Sequence, residues 1–408
     1  MTLDEYLDGI RATPAEVERF LRGRGEDGLQ PNRGWTYDAE LGWVHADAVH
    51  AGDGEDGSDT FYHYEEDGAR RVVNHPEAPC RIAAFGDSYT HGDQVNDGET
   101  WPEYLAAHLC EPVRNYGVGG YSVYQAYRRM KKVLGDDRAD ISHVLLNIYE
   151  DDHFRNLDSY RALRHGRRSN CGFTLPHVRV DPDTDAFEER DNLIARPEDV
   201  YQLCDLDYLR RTFADDPIAR MALRLRTLSD ARSTEMPPVP ITVGMLGSDA
   251  DSDEARRIKT EYVRAALYAT RRVVERIEAF CNAKGSKLLV MLSFSAPTMA
   301  KALRGEEMFD RPFSTWLCGR GYPVLDMRPA FAAEFADSRR DATHFLEPYY
   351  NGHHTPAGNF FTARALRRNA VAWIDPAPGP YRRATPRNAD GTFRGAEQHP
   401  LVRERAAG

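Results

Sequence analysis

The chain has 408 residues, of which 41% are hydrophobic and 29% are charged, proportions typical of a folded globular protein. Its formal net charge of -11 argues against a nucleic-acid backbone or an anionic membrane as the main partner. No stretch approaches the ~20 apolar residues that span a bilayer, and the acidic start MTLDEYLDGI has no long apolar run of a secretion signal. We therefore expect a cytoplasmic protein whose partners include neither nucleic acid nor membrane.

The cysteine and histidine patterns predict no metal site. Six cysteines lie far apart without a C-x-x-C pair, so neither a zinc site nor a small disulfide framework follows from their spacing. No H-E-x-x-H motif occurs, and His63 has no histidine at ligand spacing. The basic stretch RALRHGRRSN, residues 161–170, is interpreted as a solvated loop.

Residues 1–75 are predicted to form an N-terminal extension. A short helix is indicated by TPAEVERFLRGRG, and an irregular aromatic stretch follows it, which we interpret as hairpins or loops packed on the main domain. Trp35, Tyr37 and Trp43 in that stretch are candidates for a sugar subsite, with packing inside a hairpin as the simpler alternative.

The main domain is predicted over residues 76–375, where short apolar runs alternate with helical patterns. Near-continuous apolar strands separated by helices are typical of an α/β protein whose parallel sheet is covered on both faces. The predicted strands lie in RIAAFGD, VRNYGV, HVLLNIY, KLLVMLSF and YPVLDM. Helices are predicted in TWPEYLAAHLC, in VYQAYRRMKKVLG and in the long segment from DEARRIK to CNAKG, which ends at a glycine.

Two segments depart from this alternation. Residues 152–250 are rich in charge and proline and too long for a simple connection, so we predict an inserted, lid-like subdomain beside the active site. Residues 376–408 are rich in Pro, Arg and Gly and are predicted to form a flexible tail.

Polar and glycine residues gather where the predicted strands end, which is where parallel sheets bind ligands. The first strand runs into Gly86-Asp87-Ser88, the second into NYGVGGYS, and the third into the acidic NIYEDDHFRN. Two histidines stand in GHHTPAGN near the end of the chain. A serine, a glycine turn and a late histidine are the components of nucleophilic acyl transfer, and Asp87 is expected to fix the serine turn.

These residues resemble the SGNH, or GDSL-like, hydrolases, a family of flavodoxin-like α/β esterases and lipases. FGDSYTHG matches the first family block, NYGVGGYS is similar to the second, and GHHTPAGN is similar to the last. The resemblance implies a three-layer fold, Ser88 as nucleophile and oxyanion donor, Gly120 as second oxyanion donor, and His353 as base. The family spacing from histidine to glycine selects His353 rather than His354.

Two positions depart from the family pattern. Asp151-Asp152 stands where the family has Asn-Asp, and a carboxylate cannot donate a hydrogen bond to an oxyanion unless it is protonated. The family's acid precedes the histidine by two or three residues, where this chain has Asn351 and Tyr350. We hypothesise that Asp151 supplies the acid function from the other side of His353. The alternatives are Asn351, a main-chain carbonyl, or an acid from Asp341 or Glu347.

The resemblance implies a serine esterase acting on a small acyl ester, such as an O-acetyl group on a carbohydrate, without a cofactor or metal. An O-acyltransferase using the same serine is the first alternative. A catalytically weakened ligand-binding protein on this scaffold is the second, because of the departures at residues 151 and 351. A structural or interaction module, the third, predicts no serine reactivity.

Overall fold

The computed structural model describes residues 1–22, 34–135, 140–165, 174–228 and 251–382. Most of the predicted tail, part of the predicted insertion and the second half of the basic stretch lie outside the described residues, namely 383–408, 229–250 and 166–170.

Thirteen strands are assigned in the described part of the chain. In chain order they are β1 (Trp35–Asp38), β2 (Gly42–His45), β3 (Ala48–His50), β4 (Thr60–Tyr62), β5 (Ile82–Phe85), β6 (Arg114–Asn115), β7 (His143–Tyr149), β8 (His177–Asp181), β9 (Ala186–Arg190), β10 (Lys287–Ser293), β11 (Val324–Asp326), β12 (Tyr350–Asn351) and β13 (His353–His354).

Fifteen α-helices accompany them within the same residues. They are α1 (Leu3–Ile10), α2 (Pro14–Arg22), α3 (Ser88–His91), α4 (Trp101–Leu109), α5 (Val123–Gly135), α6 (Asp152–Arg155), α7 (Ala162–His165), α8 (Leu206–Phe213), α9 (Pro217–Leu228), α10 (Asp253–Lys284), α11 (Ala296–Leu303), α12 (Arg311–Cys318), α13 (Met327–Phe335), α14 (Ala342–Leu346) and α15 (Pro356–Trp373). Short 3-10 turns lie at Asp97–Glu99, Pro197–Cys204, Glu347–Tyr349 and Gly379–Tyr381.

The centre of the molecule is a five-stranded parallel sheet in the order β11-β10-β7-β5-β6. Numbered along the chain this order is 5-4-3-1-2, the flavodoxin-like arrangement. All five strands predicted from the sequence are the strands of this sheet, and the α/β prediction is confirmed. The strand order reverses between β5 and β7, so the crevice at their carboxyl ends is where this architecture binds ligands.

Helices cover the sheet because its strands are too apolar to face water. All seven residues of the central strand β7 are buried, which requires cover on both of its faces. Helix α4 packs against α15, and α5 packs against α10. Helix α10 begins at an N-cap formed by Ser252 and ends at Gly285, whose φ of 69° lies in the left-handed region. No helix in the described ranges is long and apolar enough to cross a membrane.

The N-terminal residues form two small antiparallel sheets beside the central one, β1–β2 and β3–β4. The Trp43 side chain is fully buried, stacks on Trp35 with ring centroids 5.4 Å apart, and donates from Nε1 to the Gly119 carbonyl oxygen. Tyr37 donates its hydroxyl to the Ile194 carbonyl. Trp43 and Tyr37 therefore serve packing, which agrees with the simpler alternative for this stretch.

The described part of the predicted insertion forms helices α6 to α9 and the β8–β9 hairpin. The hairpin packs against α10, and α8 packs against α1. Ion pairs from Arg264 to Asp183 and from Arg276 to Glu189 join α10 to the hairpin. A lid function for this segment stays a prediction.

The glycine that ends β5 gives a test of the packing under the site. A Cβ at Gly86 would lie 2.9 Å from the Asn147 main-chain oxygen in β7 and closer still to Thr90 Oγ1. Gly86→Ala is therefore expected to lower the free energy of unfolding by about 1–3 kcal/mol in chemical denaturation. Gly135→Ala is the control, because a Cβ there meets nothing within 4 Å. Equal stabilities for the two variants would contradict this assignment.

Candidate active site

The first site residue follows from how β5 ends. Strand β5 is buried throughout and leads into α3, a single helical turn whose first residue is Ser88. The Asp87 carboxylate caps this turn by accepting the Tyr89 N–H at 3.0 Å. Gly92, with φ 82°, ends the turn and returns the chain so that its N–H reaches the Ser88 carbonyl. Asp87 thus fixes the turn, as expected from its position.

His353, which lies near the C-terminal end of the described residues, contacts Ser88. His353 lies on the tight β12–β13 hairpin, just before α15. Its Nε2 is 2.9 Å from Ser88 Oγ, across a sequence separation of 265 residues. The neighbouring His354 is buried against Tyr350 and Tyr89, and the pKa of its imidazole is lowered to about 3 by burial and by the charge of His353. The structure therefore places His353, not His354, against Ser88.

Gln94 forms a hydrogen bond with Nδ1 of the His353 ring, the nitrogen that faces away from Ser88. Its Oε1 is 3.0 Å from the His353 main-chain nitrogen and 3.0 Å from His353 Nδ1. A main-chain N–H can only donate, so the atom facing it must be the amide oxygen, which can only accept. The proton of a neutral ring is then on Nδ1. Nε2 carries the lone pair and accepts the Ser88 hydroxyl hydrogen.

Three of the proposed acid or orienting residues lie apart from the histidine ring. Asp341 caps α14 and pairs with His344 Nδ1 at 2.5 Å. Glu347 is exposed in the following 3-10 turn. Asn351 pairs with His353 through the hairpin backbone, and its side chain is exposed. Within the described residues, none of the three side chains forms a hydrogen bond or an ion pair with the His353 ring.

Asp151 is also occupied elsewhere. Its carboxylate binds Arg164 through Nη1 at 2.6 Å and Arg155 through Nε at 2.9 Å. Burial alone would raise the pKa of the Asp151 carboxyl, but these two guanidinium groups hold it well below its usual value. No contact to His353 in the described structure supports the hypothesis that Asp151 acts as its acid. Asp151 instead belongs to a buried ionic cluster.

That ionic cluster reaches the turn that carries Ser88. Arg155 Nη1 contacts Asp152 at 2.8 Å and Asp87 Oδ2 at 3.1 Å, and the same Asp87 oxygen is 3.4 Å from Ser88 Oγ. Burial raises the pKa of the Asp87 carboxyl, opposed by the charge of Arg155. Asp151 is therefore paired with two arginines, which it shares with Asp87, Asp152 and Asp158.

Gly120 lies on the loop after β6 in a left-handed conformation, with φ 77°. Its carbonyl accepts from Arg161 Nη2 at 3.0 Å, and the next carbonyl, that of Tyr121, accepts from Arg155 Nη1 at 3.2 Å. The main-chain N–H groups of Ser88 and Gly120 form no hydrogen bond to another described residue.

A second polar group, missed by sequence reasoning, borders the Ser88–His353 pair. Asp93 Oδ2 is 4.0 Å from His353 Nε2, and Asp93 Oδ1 accepts from His91 Nδ1 at 2.5 Å. His91 Nε2 in turn accepts the Tyr64 hydroxyl at 2.6 Å. Gly119 is needed beside this chain of bonds, because a Cβ there would lie 3.2 Å from Asp93 Oδ2.

His45, His91 and Asp93 place three potential metal ligands within 4.8 Å of one another. The two imidazole rings are stacked, with centroids 4.1 Å apart and planes 18° from parallel. Nitrogen lone pairs lie in the ring plane, so nearly parallel rings cannot both aim at one ion between them. The Gly119 N–H also donates to His45 Nε2 at 2.9 Å. This arrangement fits a hydrogen-bond network better than a metal centre.

Arg70 holds the loop that carries Asp93 and Gln94. Its side chain is 1% exposed, and its guanidinium donates to the carbonyls of His91, Gly92 and Val95 at 2.6–2.7 Å and to Asp97 at 2.9 Å. The Gln94 N–H is bound by the Tyr62 hydroxyl at 2.7 Å. Residues before position 75 therefore set the geometry of the loop beside Ser88.

The sequence carried one signal for these missed residues, their closeness to Ser88. Asp93 and Gln94 follow Ser88 by five and six residues, in the same GDSYTHGDQ stretch. One helical turn closed by Gly92 brings them back to the serine. That return depends on contacts with Arg70, which no local pattern reveals.

Arg70→Met tests this clamp. Three carbonyls and the buried Asp97 carboxylate would lose their hydrogen bonds from the guanidinium, so we expect the free energy of unfolding to fall by about 3–5 kcal/mol. The adjacent, exposed Arg71→Met is the matched control and should stay near wild type. The measurement is denaturant unfolding of the full chain, and similar losses in both variants would refute the clamp.

A buried acid next to the site, Glu150, should make stability depend on pH. Burial raises the pKa of the Glu150 carboxyl to about 7, although Ser295 Oγ donates to it at 2.5 Å. The unfolded chain releases this proton near pH 4.5, so Glu150 costs stability progressively as the pH rises from about 4.5 to 7.

Glu150→Gln removes that titration. Its unfolding free energy should match wild type near pH 5 and exceed it at pH 8 by on the order of 2 kcal/mol. The exposed Glu347→Gln is the control. A wild-type advantage at pH 8 would show that the assignment is wrong.

Comparison with known proteins adds little to this geometry. No family model matches the chain, and no curated protein matches it. Among solved structures, it is similar to a proposed lipolytic protein of the G-D-S-L family from Desulfitobacterium hafniense DCB-2. That similarity has a TM-score of 0.34 and 12% identity, and it covers 70% of this chain and 97% of the other.

Proposed function

We propose that the protein is a serine-dependent hydrolase of small acyl esters, with Ser88 as nucleophile and His353 as general base. The contact that carries this proposal is the 2.9 Å approach of Ser88 Oγ to His353 Nε2, with the proton of the neutral ring held on Nδ1 by Gln94. A serine hydroxyl is a weak nucleophile unless an adjacent base accepts its proton.

The first half-reaction follows from these positions. Ser88 Oγ attacks the ester carbonyl carbon while its proton passes to His353 Nε2. The carbonyl oxygen becomes an oxyanion, and the N–H groups of Ser88 and Gly120 are the proposed donors to it. When the tetrahedral intermediate collapses, the C–O bond to the alcohol breaks and His353 returns the proton to the leaving oxygen.

Water completes the cycle. His353 Nε2 takes a proton from a water molecule, and the hydroxide attacks the acyl group on Ser88. The carboxylic acid leaves, and Ser88 recovers its proton. A small acyl group such as acetyl, on a carbohydrate or another alcohol, is the proposed substrate class. In an O-acyltransferase, a second alcohol would replace the water in this step.

Labelling with a fluorophosphonate tests the proposal, because the probe phosphonylates an activated serine and releases fluoride. We expect labelling of the wild type, none of Ser88→Ala, and a rate lowered at least 10²-fold in His353→Ala. Turnover of p-nitrophenyl acetate should fall in parallel. His344→Ala, on the exposed α14, is the matched histidine control and should behave as wild type.

A folded wild type that neither labels nor turns over ester would overturn the proposal and favour a ligand-binding protein. A turnover rate that rises with added acceptor alcohol, with the ester of that alcohol as product, would instead identify an acyltransferase.

A further inference from the structure

We infer that the acid function of a serine–histidine–acid triad is divided between two adjacent residues: Gln94 orients the His353 ring at Nδ1, and Asp93 supplies negative charge from the Nε2 side. This inference rests on the proposed function. It assigns two positioning residues, neither of which the sequence pattern places.

Gln94 can orient the His353 ring but cannot supply the negative charge. Its amide oxygen fixes the ring and the position of the proton, since it accepts from both His353 N–H groups. It carries no charge and cannot balance the imidazolium that forms when Ser88 gives up its proton. In a serine protease, a neutral amide in place of the acid lowers kcat about 10⁴-fold, through the wrong tautomer. Here the tautomer is correct, and the charge is what Gln94 lacks.

Asp93 is placed to provide that charge. Its Oδ2 lies 4.0 Å from His353 Nε2 and forms no hydrogen bond within the described part of the chain, while Oδ1 is bound by His91. Burial would raise the pKa of the Asp93 carboxyl, but the hydrogen bond from His91 is the largest of the interactions that hold it well below its usual value. Asp93 is therefore ionised at neutral pH.

The partners of Asp93 leave its charge uncancelled. Burial and the charge of Arg70 lower the pKa of His91 to about 4, so His91 is a neutral donor at neutral pH. Burial also keeps the pKa of His45 well below its usual value. A protonated His91 would form an ion pair that offsets the charge of the Asp93 carboxylate. A neutral His91 imidazole only orients that carboxylate.

Among the described residues, the other charged groups around this pair are bound to partners of their own. Arg70 is bound to Asp97 and main-chain carbonyls, Arg129 to the Gly68 carbonyl, and Asp87 to Arg155. Burial raises the pKa of each nearby tyrosine hydroxyl, which keeps these groups neutral; they are Tyr62, Tyr64 and Tyr89.

The test is the pH dependence of kcat/KM for p-nitrophenyl acetate, and of fluorophosphonate labelling, in Asp93→Asn. The substitution keeps an acceptor for His91 and removes the charge. We expect kcat/KM to fall about 10- to 100-fold and its acid limb to move to lower pH, because the protonated ring loses its stabilising partner. Asp337→Asn, an exposed carboxylate, is the control.

A rescue variant separates charge from structure. Gln94→Glu combined with Asp93→Asn returns one negative charge to His353, now at Nδ1, and should restore most of kcat/KM and the acid limb. If Asp93→Asn fails to fold, Asp93→Ala assayed with and without formate carries the test, since formate replaces the carboxylate. Restoration of the rate by formate is the expected result.

An active Asp93→Asn protein with an unmoved acid limb would overturn the inference, whether its rate falls or not. A wild type that is itself unreactive would overturn the proposed function, and with it this inference. The two failures are distinguished by the wild-type assay alone.

Discussion

The arrangement of the site depends on one buried guanidinium group. Arg70 donates to three main-chain carbonyls of one loop, those of His91, Gly92 and Val95, and so fixes the turn that follows α3. That turn presents Asp93 and Gln94 to His353. A side chain that satisfies several buried acceptors holds its loop more firmly than surface contacts could. Dividing the chain at residue 75 would place Arg70 and the loop of residues 91–95 in different segments. In the structure the two are joined by hydrogen bonds.

A second constraint is the pairing of buried charges near Ser88. Asp87, Asp151, Asp152 and Asp158 are buried with Arg155, Arg161 and Arg164, and the pairs interlock, since Arg155 contacts three of the acids and Arg164 two. Buried charges persist only when paired. The acid at position 151 is thus matched by arginines at 155 and 164 in the following segment. It holds the end of β7 to α6 and α7 instead of serving the histidine.

The strands and the contact between Ser88 and His353 could be predicted from the sequence because each leaves a local signal. Apolar runs mark the five sheet strands, and motif spacing singles out Ser88 and His353. The partners of His353 leave no such signal. Asp151 has the right residue type, but its carboxylate is paired with arginines. The Asp341 carboxylate caps a helix. Gln94 has a residue type that carries no acid function, and it reaches His353 only through a turn closed by contacts from the N-terminal region.

In the inferred arrangement, the neutral Gln94 and the acidic Asp93 have complementary roles toward His353. Adjacent carboxylates at both positions would repel each other and raise the pKa of one of them. A second carboxylate would therefore not add a full negative charge to the site. The left-handed backbone of Gln94, φ 72°, turns its side chain toward Nδ1 while Asp93 stays on the Nε2 side. Gly352 leaves room for the amide, because a Cβ there would lie 2.9 Å from Gln94 Oε1. One charge and one neutral acceptor can therefore flank a single imidazole, with orientation and charge supplied from opposite sides.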